Sequence, residues 1–169
     1  MQTDRSNTEL FNALLPLAAL VPLTEQALHA LPDIHVRRGI AVIYAWPFRI
    51  GRESRMLVDE KSGQIARLER YRPAGLTPTN DLYLIDEGQL LSISREHLLI
   101  ERKGPGFEVR DRNSACGFLV DGTHVGGEGT GGTLALQDGQ ILTLGWKESP
   151  YRYRFVDFTA LAAAAHAGA

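Results

Sequence analysis

Three short pieces of the sequence carry residue types that can do chemistry. Gly51-Arg52 follows the alternating Phe48-Arg49-Ile50, Ser94-Arg95-Glu96-His97 opens a second apolar stretch, and Ser114-Ala115-Cys116-Gly117-Phe118-Leu119-Val120-Asp121-Gly122 forms a third. An arginine beside a hydroxyl suits a phosphate, because guanidinium offers parallel N–H donors and the hydroxyl adds another. This is binding chemistry and needs no nucleophile or metal. Arg52 and Ser94 lie 42 residues apart, so a fold that gathers loops at one end must bring them together.

Other chemistries find less support. Ser94 and His97 have no positioned acid and no strained Gly-x-Ser-x-Gly elbow, so His97 reads as structural rather than catalytic. His29, His35, His124 and His166 show no metal-ligand spacing. The lone Cys116 can form neither an internal disulfide nor a thiolate cluster and reads as a half-buried filler. The run from Gly126 to Gly132 lacks the Gly-Lys-Ser/Thr of a phosphate loop and precedes a strand, which makes it a flexible turn. Thr77 before Pro78 could be a phosphoacceptor, although Thr-Pro is common in loops. No metal and no cofactor is expected.

The elements that position these residues must come from one core. The chain has 169 residues, 44% hydrophobic and 22% charged, enough for one domain or one domain with an appendage. The longest apolar run, 13–23, is 11 residues and contains Pro16 and Pro22, short of the ~20 a membrane-spanning helix needs. With no basic start before that run and no small-x-small cleavage site, the sequence predicts a cytoplasmic protein without membrane insertion. The net charge of −2 is uneven: residues 37–72 hold nine Lys+Arg against four acids, a balance of +5, and the rest sums to −7. Such a block can attract an anion or can be a solvated strand face. It lacks the interleaved aromatics of a nucleic-acid surface, having only Tyr71 in 53–80.

Residues 7–31 read as helical, because Leu10, Leu14, Leu17 and Val21 recur at helical spacing. Pro16 and Pro22 would kink one helix or divide it into two, and Pro32 would stop it. From Gly39 the texture changes to short apolar alternations separated by Gly, Pro, Asn and Asp, the signature of an all-β sandwich. Strands are predicted at 40–44, 48–50, 82–85, 97–101, 107–110, 118–120, 132–136, 140–144 and 151–158. Turns are predicted at Gly104-Pro105-Gly106, Asp121-Gly122 and Asp138-Gly139. Between Glu53 and Asn80, Met56-Leu57-Val58 and Ile65-Ala66-Arg67-Leu68 read as an extra hairpin or a long excursion. Three parts follow: a helical extension over 1–36, a sandwich over 37–158 with an insertion at about 53–80, and a tail over 159–169.

In order and in placement, Gly51-Arg52, Ser94-x-x-His97 and the run through Gly117 to Gly122 resemble the forkhead-associated (FHA) family, over about residues 39–158. The resemblance implies an 11-stranded antiparallel β-sandwich that recognises phosphothreonine peptides through its loops, without catalysis. It makes Arg52 and Ser94 the phosphate-binding pair and gives Arg95 an added charge or a peptide-backbone contact. Gly51 would let the backbone turn, His97 would hold the binding loop, and Gly117 and Gly122 would serve the turns of the third motif. The family's peptide-holding asparagine aligns with Cys116, a poor hydrogen-bond partner, with Ala115 before it, while Phe118 and Asp121 replace a threonine and a second asparagine. Asn113 or Ser114 could substitute for it. The implied partner is a phosphothreonine-containing protein, read by an adaptor in signalling or regulated assembly. The alternative is a phosphate-independent scaffold that uses the same fold, the N-terminal helices or the 53–80 insertion.

Overall fold

Where the sequence alternates, the chain extends. In Gly106–Asp111, Phe107 and Val109 face the interior between half-buried or exposed neighbours, and in Arg152–Asp157 Tyr153 and Phe155 do the same, the period-two pattern of a sheet with one buried face. A computed structural model describes residues 14–32, 36–53, 56–58, 65–67, 78–88, 90–161 and 163. In chain order its elements are β1 (Ala18–Pro22), α1 (Glu25–His29), β2 (Val36–Arg37), β3 (Ile40–Ile43), β4 (Phe48–Arg52), β5 (Met56–Val58), β6 (Ile65–Arg67) and β7 (Leu82–Leu84). They continue with β8 (Leu98–Lys103), β9 (Gly106–Asp111), β10 (Phe118–Val120), β11 (Thr123–Val125), β12 (Gly132–Leu136), β13 (Ile141–Leu144) and β14 (Arg152–Asp157).

Two sheets form a sandwich, as the alternation predicts. One runs β11-β10-β13-β14-β1-β3-β2 and the other β12-β9-β8-β4-β7, while among the described residues β5 and β6 pair only with each other. Between the two sheets lie Leu20, Ile43, Ile50, Leu98, Ile100, Phe118, Leu142, Tyr153 and Phe155, all essentially without solvent contact. Phe107 meets Phe155 edge-on with ring centroids 5.1 Å apart, a favoured aromatic geometry. All nine predicted strands are present to within a residue or two of their predicted ends. The two sandwich sheets hold twelve described strands, one more than the resemblance implies.

Pairing between described strands is antiparallel with one exception: β4 and β7 run parallel, Ile50 opposite Leu82 and Arg52 opposite Leu84. Parallel neighbours need a crossover of a dozen or more residues, because the chain must return to its starting end. The segment 53–81 is that crossover, and the predicted extra hairpin lies within it as β5–β6, Leu57 opposite Ala66. Four of the nine basic residues of the block, Arg55, Lys61, Arg70 and Arg72, fall outside the described residues, as does Thr77. Arg49 within it is spent inside the fold: its backbone N–H, Nε and Nη2 all donate to Asp81, at 2.8, 2.9 and 3.1 Å. Burial alone would raise the Asp81 pKa, but these bonds and the arginine charge hold it below the ordinary carboxylate value.

The helical reading of 7–31 is corrected at its centre. Ala18–Pro22 is a strand between β14 and β3, and Ala18, Ala19 and Leu20 are buried. A strand covered on both faces shows no polar alternation, so its apolar run imitates a buried helix. Sheet pairing then overrides local helical spacing. The sandwich therefore begins before residue 37, within the span read as a helical extension. The helix described in this span is the short α1, with Thr24 as N-cap accepting the Ala27 N–H at 3.0 Å. Tyr153 Oη donates to the Ala27 carbonyl at 3.0 Å and Ile85 N–H to that of Ala30 at 2.9 Å, which seats α1 on both sheets. Residues 159–161 are helical, and 1–13 and 164–169 lie outside the described residues.

Candidate functional site

Arg52 ends β4 at one end of the sandwich, beside the loop that leads into β8. Its backbone N–H donates to the Ser94 carbonyl at 2.8 Å, Nε to the Ile93 carbonyl at 2.9 Å and Nη1 to the Glu53 carbonyl at 3.3 Å. Two of five guanidinium N–H groups thus fix the plane, and the others have no acceptor among the described residues. Ser94 Oγ accepts the Ala115 N–H at 2.9 Å, leaving the hydroxyl proton available to a ligand. Arg52, Ser94 and Arg95 line an open cleft of about 780 Å³, together with Arg112, Asn113 and Glu128. Arg95 is exposed, and no described residue pairs with its guanidinium.

Behind the cleft, His97 is wholly buried. Its Nδ1 accepts the Ser94 N–H at 2.9 Å, so Nε2 carries the proton and donates it to the Gly117 carbonyl, also at 2.9 Å. Burial lowers its pKa to about 4, against the opposing pull of Gly117, Asp111 and Asp86. The neutral ring is thereby committed at both nitrogens and joins the Ser94 loop to the third motif. Gly51 allows a close approach: a Cβ there would stand 2.1 Å from the Arg95 carbonyl oxygen and 2.6 Å from Asn80 Nδ2. That gap lets Asn80 Nδ2 donate to the Arg95 carbonyl at 2.8 Å.

The third motif divides its candidates. Asn113, at φ +57, is exposed and lines the cleft. Ser114 faces inward with no solvent contact, donating through Oγ to Asp111 Oδ1 at 2.5 Å and accepting the Gly117 N–H at 2.9 Å. Its hydroxyl holds the turn, so Ser114 is not a surface group. Cys116 is also buried, its Sγ donating to the Leu91 carbonyl at 3.6 Å, and burial together with the Asp86 charge raises the thiol pKa. Gly117 sits at φ +68 with the Val125 carbonyl 2.5 Å from where a Cβ would be. Asp121 and Gly122, at φ +46 and +85, make the two-residue turn between β10 and β11.

Comparison with known proteins agrees with this arrangement. The family model of the FHA domain matches residues 48–145. The chain belongs to the FHA-domain family. This FHA domain is similar in structure to the yeast Pml1 splicing factor, a protein integrated into the RES complex, with a TM-score of 0.51 and 15% identity over 83% of this chain and 78% of that one. Full-length yeast Pml1p gives 0.50 and 16% over 82% and 80%. Mycobacterium tuberculosis EmbR, solved in complex with a low-affinity phosphopeptide, gives 0.47 and 16%; 89% of this chain is covered but only 28% of EmbR. The chain thus spans little more than a quarter of EmbR. No curated protein matches it in sequence.

Several residues of the FHA cleft lie outside the sequence motifs. Arg112 Nη1 donates to Asn80 Oδ1 and Nη2 to Glu96 Oε2, each at 2.6 Å, which fixes a further guanidinium on the wall. Asp86 accepts the Ser92 and Ile93 N–H groups at 2.7 and 2.9 Å and the Tyr151 hydroxyl at 2.7 Å, and so shapes the loop that presents Ser94. The glycine-rich run that reads as a plain turn places Glu128 on the same wall. An Asp-x-x-Ser spacing at 111–114 is a legible turn signal. Nothing in the sequence announces Asn80 or Arg112, whose roles depend on the close approach at Gly51. Among the described residues, no three His, Cys, Asp or Glu side chains could together hold a metal ion, and no helix is long and apolar enough to cross a membrane.

Proposed function

We propose that this FHA domain is a phosphothreonine-dependent protein-binding module in which Arg52 and Ser94 take the phosphate and Arg95 adds charge or grips the peptide backbone. The observation that carries the reading is the joint presentation, in one cleft, of a fixed guanidinium with unused donors and a serine hydroxyl whose oxygen already accepts the Ala115 N–H. Charge-assisted donors of this kind are strong anchors for a phosphate. Recognition of phosphothreonine is what membership of the family implies.

The module acts by binding. His97 faces the Ser94 backbone N–H and not its hydroxyl, so Ser94 has no base to make it a nucleophile. Asn113 is the motif residue placed to hold the peptide backbone, because Cys116 and Ser114 are turned inward. Its biological setting is a cytoplasmic adaptor in signalling or regulated assembly, joined to a phosphorylated partner protein.

The test is fluorescence anisotropy with peptide libraries centred on Thr, phosphothreonine or phosphoserine. Losing a hydrogen bond to a charged group costs about 1.5–3 kcal/mol, so Arg52→Ala should weaken phosphothreonine binding by roughly one to two decades. Equal binding of the phosphorylated and plain libraries refutes the reading. It would favour a phosphate-independent scaffold, to which the buried Cys116 in place of the peptide-holding asparagine lends the one specific support.

A further inference from the structure

The segment Gly126-Gly127-Glu128-Gly129-Thr130-Gly131-Gly132 contributes Glu128 and Gly129 to the lining of the cleft. Its backbone takes φ of +73, +91, +72, +68 and +139 at Gly126, Gly127, Gly129, Gly131 and Gly132, the region that glycine visits without steric cost. Glu128 takes φ +52 in the same run, where a side chain is strained and a glycine would not be. Such a residue in a ligand cleft invites a functional explanation.

Hydrogen bonds fix its place. The Glu128 N–H donates to the Ala115 carbonyl at 2.9 Å and the Gly129 N–H to that of Ser114 at 3.2 Å. Ala115 in turn donates its own N–H to Ser94 Oγ at 2.9 Å. A single residue therefore separates the Glu128 backbone from the hydroxyl assigned to the phosphate. The other acid of this wall, Glu96, is neutralised by Arg112 at 2.6 Å. Glu128 is exposed, and its carboxylate has no hydrogen bond or ion pair among the described residues.

A phosphate dianion in the cleft thus shares it with Arg52 and Arg95 and with an uncompensated carboxylate. The two bonds and the one residue between them put the Glu128 backbone within about 10 Å of Ser94 Oγ, comparable to the screening length of about 8–10 Å in physiological salt. Repulsion by a carboxylate carried on that backbone and turned towards the cleft is only partly screened. A ligand with a cation beside its phosphate removes that repulsion and gains an ion pair. We propose that Glu128 makes this domain select phosphothreonine peptides that carry a lysine or arginine within two positions of the phosphorylated residue. The proposal rests on the phosphothreonine reading and deepens it.

The experiment uses the full chain and fluorescein-labelled phosphothreonine peptides in which Arg or Gln occupies each position from two before to two after the phosphothreonine. For at least one position, the wild type should prefer Arg over Gln by about two- to five-fold, the range of an exposed ion pair, and the preference should shrink as salt rises. In Glu128→Gln and Glu128→Gly the ratio should fall to about one while phosphate dependence persists. The glycine variant suits the backbone angle, so it guards against a loss caused by misfolding. Phosphate-dependent binding without an Arg preference, or with one that survives both variants, overturns the proposal. Binding that ignores the phosphate and is unchanged by Arg52→Ala overturns the reading beneath it.

Discussion

The Ala115 N–H donates to Ser94 Oγ at 2.9 Å, and this bond joins the two loops that make the cleft. It occupies part of the oxygen's accepting capacity and leaves the hydroxyl proton for an anion. Ser94→Ala removes both contacts at once. Phosphopeptide affinity should fall about ten- to a hundred-fold and folding stability by about 1 kcal/mol. Anisotropy and urea unfolding read the two effects separately, and a loss of stability with affinity intact would place the phosphate elsewhere.

His97 makes the loop scaffold sensitive to acid. Its pKa is lowered from 6.5 to about 4 by burial, so below pH 6.5 the unfolded chain binds a proton that the folded protein refuses. Stability from this group is fully present above pH 6.5 and declines as pH falls towards 4, by up to about 3 kcal/mol. Urea midpoints at pH 7 and pH 4.5 should show the decline, and the His97 ring resonance should still report a neutral imidazole at pH 5.5. A ring that titrates near 6.5 in the folded protein would contradict its burial.

Leu20, 1% exposed in the centre of the seven-stranded sheet, tests the place of β1. Leu20→Ala should cost about 2–5 kcal/mol, as in a packed core, measurable by thermal or urea unfolding. Truncation at Arg37 should give a chain that fails to fold, because it withdraws the strand between β14 and β3. A stable, soluble truncated chain would show that the sheet closes without it.

Most strands were legible because their inward residues alternate and their turns carry the residues that positive φ demands, as at Asp121 and Gly122. β1 was not, because an apolar strand buried on both faces carries no period-two signal. β11 follows an Asp-Gly turn that pointed to it, yet its Thr123-His124-Val125 is mostly exposed and only three residues long. Arg52, Ser94, Arg95 and Asn113 come together at the cleft as the motifs suggest. Ser114 and Cys116 turn inward, a matter of which side of a tight loop meets the core. Arg112 and Asn80 stayed hidden because their meeting depends on an absent Cβ at Gly51.

The pairing of β1 with β14 also sets an order of events in the living cell. Ala18 lies opposite Asp157 and Pro22 opposite Tyr153, partners 131–139 positions apart. At ~5–20 residues per second of synthesis, a ribosome would emit the first partner roughly 7–30 seconds before the last. Until then β1 keeps one edge open, and the sheet's middle rather than its rim is the last seam to close. Contacts of such sequence separation slow folding, so the nascent chain stays exposed to aggregation until β14 has emerged.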